Sequence, residues 1–380
     1  MSLLTKTFHF EVLHRSTKSN ARVGRITTPH GSFLTPAFVG VGTNGVLKSL
    51  GHDESMEAGL DLMFANTYHL MVQPGEDVVE KMGGIHRFSG RSRPIITDSG
   101  GFQVFSLAYG SVASELKSQG TKKHSNSVQK ISEEGVKFRS YRDGRSILLT
   151  PETSIGAQKK IGADIMISFD ELPPYHISPD ALKKSFERTH RWEKRSLLYH
   201  QAHPTDQALY SVIHGGIDPV LRKKSCQILR ELDFDGHAVG GSLGKNRDEM
   251  IEMLNYTLPC LPQEKPIHLL GIADLPSLAS SIPLGIDSFD SSYPTKAARH
   301  GTLLTDNGSL RIVSGAYKDD PRPIEEGCSC RACKTVSRSF LHHLFKANEL
   351  LGLSLASSHN LYYMIRFMDR ARKKIILNEL

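Results

Sequence analysis

The chain has 380 residues, 39% hydrophobic and 23% charged, an ordinary balance for a folded protein with a large core. No run of eighteen apolar residues occurs, which excludes a predicted membrane-spanning helix. Five cysteines, three of them within six positions, make a poor disulfide framework, and a net charge of +7 with a pI of about 9.0 favours an anionic partner.

The segment from Lys6 to His14 carries charge where a secretory leader needs an apolar stretch, so a reducing cytoplasm is expected. Phe8–Leu13 and Ala21–Thr28 read as an antiparallel hairpin, with Pro29-His30-Gly31 a turn. Eight short apolar segments follow: Thr35–Val41, Leu60–Ala65, Arg93–Asp98, Asp164–Asp170, Leu209–Gly215, His237–Gly241, Pro266–Ile272 and Ile286–Asp290. Between several of them, Glu152–Ile161, Asp180–His200, Pro219–Leu232 and Arg247–Tyr256 carry apolar residues at helical spacing. Buried strands alternating with helices predict a parallel sheet. Eight of them without a dinucleotide-binding glycine pattern predict an α/β fold of the closed (β/α)8 TIM barrel type, with its chemistry at the C-terminal strand ends.

The polar stretch Ala108–Ile131 interrupts this pattern and reads as a long loop, either a lid, an RNA contact through Lys117, Lys122, Lys123 and Lys130, or an inert connection. Beyond the eighth strand, Gly308–Lys318 reads as an extended hairpin region, and Val336–Leu351, Ser354–Phe367 and Met368–Leu377 as helices. The predicted organisation is a barrel over residues 1–300, with the hairpin and the loop at 108–131, and a metal-stapled helical subdomain over 301–380 packed on it.

The acids at predicted strand ends carry the chemistry. Ile95-Ile96-Thr97-Asp98 runs into Ser99-Gly100-Gly101-Phe102, where small residues let backbone approach a bound group; the alternative is an aspartate that caps a turn. Asp290 ends the last strand beside the basic run Thr295-Lys296-Ala297-Ala298-Arg299. It either attacks an electrophilic carbon while the cations hold phosphate, or pairs with Arg299 as a structural contact. Two carboxylates across one pocket suit displacement at an anomeric carbon, one ionised and one exchanging protons. Asp170 offers a carboxylate to the N–H edge of a purine-like base, His214 and the Gly240–Gly241 backbone offer further polar contacts, and Phe102 offers a stacking ring; each has a structural alternative at a strand end. Gly271-Ile272-Ala273-Asp274-Leu275-Pro276-Ser277 combines a glycine with a helix start, either a phosphate site or an ordinary turn.

Cys328-x-Cys330-x-x-Cys333 supplies three soft thiolates, and a structural zinc ion needs a fourth ligand. Among His342, His343 and His359, the last is favoured, because it is expected near a helix start that folds back onto the loop. These features leave open an enzyme exchanging an N-glycosidic bond on nucleic acid, a zinc-stapled RNA-binding barrel without chemistry, and a sugar hydrolase, for which a single tryptophan is few aromatics.

Taken together, Asn66-Thr-Tyr-His-Leu70, Thr97-Asp-Ser-Gly-Gly-Phe-Gln-Val104, Ser168-Phe-Asp170, Ala238-Val-Gly-Gly241, Phe289-Asp290, Pro294-Thr295 and the three-cysteine cluster with His359 resemble the bacterial-type tRNA-guanine transglycosylases, or queuine tRNA-ribosyltransferases. The resemblance implies exchange of guanine-34 in tRNAs with GUN anticodons (aspartate, asparagine, histidine and tyrosine acceptors) for a 7-deazaguanine base, preQ1 or queuine. It implies Asp290 as nucleophile on the ribose, Asp98 as general acid/base, Asp170 on the base edge, and RNA contacts from 271–277 and 295–299. It also implies one structural Zn2+ and a homodimer. A non-catalytic partner subunit is the alternative, which the presence of both Asp98 and Asp290 argues against.

Several positions depart from the family pattern. His214 stands where glutamine is usual, Phe102 for tyrosine, and Lys296 for arginine. Gly240-Gly241-Ser242-Leu243-Gly244 lacks the usual leucine after the glycine pair and is one residue shorter. The expected consequence is a base pocket reshaped on the side that meets the substituent of the 7-deaza base.

Overall fold

The computed structural model describes residues 7–109 and 128–380. The N-terminal hairpin is present as β1 (His9–Arg15) and β2 (Arg22–Thr28), and a third strand, β3 (Gly31–Thr35), extends it into a three-stranded antiparallel sheet. The segment expected as one strand from Thr35 divides at Pro36, which has no N–H for a ladder, and β4 covers Ala37–Val41. β5 (Met63–Ala65) and β6 (Ile95–Thr97) follow. A three-stranded antiparallel insertion then comes before the next barrel strand: β7 (Val128–Ile131), β8 (Val136–Arg139) and β9 (Ser146–Leu149). The barrel resumes with β10 (Ile165–Ile167), β11 (Ala208–Ile213), β12 (Gly236–Val239), β13 (Ile267–Leu269) and β14 (Ser288–Ser291).

These eight strands close in the order β10-β11-β12-β13-β14-β4-β5-β6, and every ladder is parallel. Every residue of β5, β6, β10, β11, β12 and β13 is buried, as expected for strands packed on both faces. Three of the helices start on side-chain caps followed by proline: Thr150 before Pro151–Ile161, Ser178 before Pro179–Ala202, and Asp218 before Pro219–Arg230.

The N-terminal sheet reaches the lower end of the barrel through a buried ion pair. Arg22 donates to Asp287 through Nε at 3.0 Å and Nη2 at 2.5 Å, and also to the carbonyls of Gln263 and Lys265. Asp287 further accepts from Ile267 N–H at 2.7 Å, so the pair lies directly beneath β13 and β14.

The predicted loop at 108–131 is corrected at both ends. A helix spans Gly101–Tyr109, and the last four residues, with Lys130, form β7; Lys117, Lys122 and Lys123 lie outside the described residues. The insertion sheet shares a core with Tyr68, Phe105, Phe169 and Trp192, which anchors it over the barrel's upper rim.

In the C-terminal part, β15 (Thr302–Thr305) pairs with β16 (Gly308–Arg311), followed by helices at Arg331–Thr335, Arg338–Lys346 and Leu350–Ile376. The two helices expected from Ser354 and Met368 are a single 27-residue helix. His359 therefore sits within a helix rather than near its start. The ring reaches the cysteine loop because Asn360 pins the helix across β15: it donates to Pro294 and Thr302 carbonyls and accepts from Leu304 N–H. Among the described residues, no helix is long and apolar enough to cross a membrane.

Candidate active site

A cavity of about 900 Å³ opens at the C-terminal strand ends. Asp98, Ser99, Phe102, Asp170, Gly240, Gly241, Gly271 and Asp290 all line it, together with Asn66, Gln103, Tyr175 and Leu243. The two aspartates expected to act together therefore share one pocket.

Asp98 follows β6 directly. Its carboxylate accepts from Thr67 N (2.8 Å) and Gly100 N (3.3 Å) on Oδ1, and from Asn66 Nδ2 (2.7 Å) and Gln103 Nε2 (2.7 Å) on Oδ2. Burial raises its pKa and these donors lower it; burial wins, and the value is pushed up to about 6. Asn66, Thr67 and Gln103 lie in the conspicuous sequence segments, yet their part in holding Asp98 was missed.

Asp170 lies three residues beyond β10. Ser99 Oγ donates to its Oδ1 at 3.2 Å, and His214 Nε2 lies 2.8 Å from its Oδ2. Gly101 is required at this seam, because a Cβ there would lie 2.8 Å from the Asp170 carbonyl oxygen. His214, expected just inside its strand, follows β11 directly and is buried. Its ring presses on Gly241, whose φ of +74° also favours glycine. Behind this wall, the buried Arg222 donates to the carbonyls of Ile213, Gly216, Gly240 and Ser242, tying the ends of β11 and β12 together. Burial lowers its pKa to about 10 and leaves it cationic. Glu193, also buried, accepts from Val212 N–H at 2.7 Å, and burial pushes its carboxyl well above the usual range.

Asp290 stands within β14. Its Oδ1 accepts from Gly271 N–H at 2.7 Å and lies 3.1 Å from His268 Nε2. Arg299, the alternative partner, instead donates to Thr295 O at 3.2 Å. His268 was not singled out in the sequence; a lone histidine within Pro266–Ile272 looks like core.

The two expected RNA-contact stretches are mixed. Gly271, Pro276 and Lys296 are exposed, Ile272, Asp274, Leu275, Ala297 and Arg299 are half-buried, and Ala273, Ser277, Thr295 and Ala298 are buried. The buried four can shape the rim but do not themselves face solvent. Phe102, half exposed, stands over the pocket mouth.

Cys328, Cys330, Cys333 and His359 place their ligand atoms within 4.8 Å of one another and could hold a metal ion. His359 Nε2 lies 2.8 Å from Leu304 O, so its N–H donates there and Nδ1 turns its lone pair to the sulfurs. A second group, His30, His86 and Asp164, lies at the opposite end of the barrel, at the start of β10. Its two rings stack 3.4 Å apart at 7°, with His30 Nδ1 2.8 Å from Asp164 Oδ1 and His86 Nε2 3.0 Å from Asp164 Oδ2. Asp164 there accepts from the N–H groups of His30 and Ile95, which marks a structural tie.

A family model described as queuine tRNA-ribosyltransferase matches residues 16–380. The chain belongs to the queuine tRNA-ribosyltransferase family. It is 64% identical over 368 residues to a queuine tRNA-ribosyltransferase of Protochlamydia amoebophila, covering 97% of this chain and 95% of that protein. It is 56% identical over 373 residues to that of Chlamydia muridarum, covering 98% and 99% respectively. It is 53% identical over 369 residues to that of Chlamydia trachomatis serovar L2, covering 97% and 98%. Family membership makes the chain an enzyme, a tRNA-guanine transglycosylase of the pentosyltransferase class acting in queuosine modification.

Proposed function

We propose that this queuine tRNA-ribosyltransferase family member exchanges guanine-34 of GUN-anticodon tRNAs through a covalent bond between Asp290 and the ribose. The observation that carries the reading is the shared cavity of Asp98 and Asp290. The Asp290 carboxylate attacks C1′ and the C1′–N9 bond breaks, its electron pair leaving with guanine, which takes a proton from Asp98. The incoming 7-deazaguanine then loses a proton to Asp98 and displaces Asp290 from C1′. A group whose pKa is about 6 changes protonation readily near neutrality, as both steps require. Asp170, Ser99, His214 and the Gly240–Gly241 backbone bind the base, with Phe102 stacking on it, while Lys296, Arg299 and the exposed Gly271 and Pro276 meet the RNA. Mixing enzyme with a GUN-anticodon stem-loop and resolving the products on a denaturing gel tests this. An RNA–protein adduct that free guanine dissolves is expected; its absence would refute the covalent bond to Asp290.

The pocket wall at Gly240–Ser242 supports acceptance of a bulky substituent, because it is built largely of main chain around the fixed His214 ring. In competition for labelled exchange, queuine is expected to enter at least as well as preQ1, and a clear preference for preQ1 would refute that.

Zinc is the ion proposed for the group of three cysteines and one histidine. Ideal zinc–thiolate and zinc–imidazole bonds at a tetrahedral angle put S and N roughly 3.6 Å apart. His359 Nδ1 lies 3.9, 3.4 and 3.4 Å from the sulfurs of Cys328, Cys330 and Cys333. The site is closed by four protein ligands and is structural. Metal analysis is expected to return one zinc per chain, and chelation to lower the melting temperature by ten degrees or more, on the order of the loss of a structural site. A homodimer in the cytoplasm completes the proposal. Its support is the family resemblance together with the exposed Phe340, Leu350 and Leu351 on the metal-bearing part.

A further inference from the structure

We propose that His268, held by Ser288, is a positioning residue that presents one chosen oxygen of Asp290 to the ribose. The inference rests on the reading of Asp290 as the nucleophile.

The β13–β14 register pairs His268 with Ser288, so Asp290, two residues along β14, shares the face on which the histidine ring lies. His268 is fully buried and Ser288 nearly so. Ser288 Oγ lies 2.8 Å from His268 Nδ1, and His268 Nε2 lies 3.1 Å from Asp290 Oδ1. An ionised carboxylate only accepts, so the ring hydrogen is on Nε2; the Ser288 hydroxyl then donates to Nδ1 and selects that tautomer. Gly271 N–H reaches the same Oδ1 at 2.7 Å.

Both donors therefore converge on Oδ1, while Oδ2 accepts no hydrogen bond among the described residues. A carboxylate on its own rotates broadly about its last torsion. Two donors fixed to one oxygen remove that freedom and leave the lone pairs of the other uncommitted. When Oδ2 bonds to C1′, Oδ1 becomes the carbonyl oxygen of the ester and keeps both donors. When the incoming base displaces the carboxylate, the returning charge meets the same two N–H groups. No proton moves through His268. Its contribution is orientation and a steady dipole in both half-reactions.

The test uses the full-length enzyme with a GUN-anticodon stem-loop, measuring labelled guanine exchange and adduct formation for His268→Phe, His268→Gln and Ser288→Ala. Phenylalanine keeps a flat ring without the donor; glutamine returns an N–H close to the Nε2 position. His268→Phe is expected to lower kcat about 10- to 100-fold, the scale of one hydrogen bond to a charged group, with KM for guanine within about twofold. His268→Gln is expected to recover most of that loss, and Ser288→Ala to fall by about 3- to 10-fold as the tautomer is released. Wild-type kcat in His268→Phe, or a glutamine variant as slow as the phenylalanine one, would overturn the proposal. Should His268→Phe lose its cooperative melt, Ser288→Ala decides, and a wild-type rate there overturns it. A wild-type enzyme that forms no adduct would instead refute the nucleophile assignment, a result distinct from slow variants of an adduct-forming enzyme.

Discussion

Asp290→Asn is expected to eliminate both the trapped RNA adduct and base exchange, by on the order of 10⁴-fold or more, the scale seen when a covalent nucleophile is removed. The substitution is nearly isosteric, and the amide oxygen can take the place of Oδ1 and accept from His268 and from Gly271 N–H. The amide nitrogen then stands where Oδ2 stood, with no electron pair available for C1′. The variant should fold, melt close to the parent and still bind the stem-loop on a native gel. Measured exchange near the wild-type rate would remove Asp290 from the mechanism.

The barrel was legible because its strands are short, apolar and buried on both faces, and because helices with cap-plus-proline starts separate them. The acids were legible for the same reason: a carboxylate that ends an apolar run stands out, and Asp98, Asp170 and Asp290 all reach one cavity. The groups that orient those acids were not. His268 and Ser288 interrupt apolar strands without any local pattern, and only the register between β13 and β14 reveals that they meet. Arg222 looks like one more cation on an amphipathic helix, yet its guanidinium is buried among four carbonyls from two strand ends. The long C-terminal helix is expected to start late, at Ser354 rather than Leu350, because Ser354, Ser357 and Ser358 resemble a helix start. In the fold Ser354 Oγ instead donates to Ser49 O, and Ser357 and Ser358 are buried within the helix. Spacing along the chain picks out the candidate acids; what holds them depends on contacts between distant segments, such as the 31 positions separating Thr67 from Asp98.

The same contest between burial and donors makes Asp98 the second large effect. Four hydrogen bonds would ordinarily hold a carboxylate low, but burial outweighs them and its pKa stands at about 6 in the fold, against the usual 3.8. Between these values the native state keeps a proton that the unfolded chain has released. Native stability therefore declines as pH rises through that window, by about 3 kcal/mol in all. Asp98→Asn cannot ionise, so its stability relative to wild type should improve by about that amount between pH 4 and pH 7 in urea titrations; parallel curves would show that Asp98 titrates elsewhere. Catalysis should split by direction. Guanine departure draws a proton from Asp98 and should slow as pH rises through 6, whereas entry of the new base gives a proton to Asp98 and should quicken over the same range. Single-turnover rates of adduct formation and of adduct resolution measure the two limbs separately. Asp98→Asn should lose about 10²- to 10⁴-fold in each and flatten both profiles. If the two half-reactions shared one slope with pH, a single group could not be passing the proton in both directions.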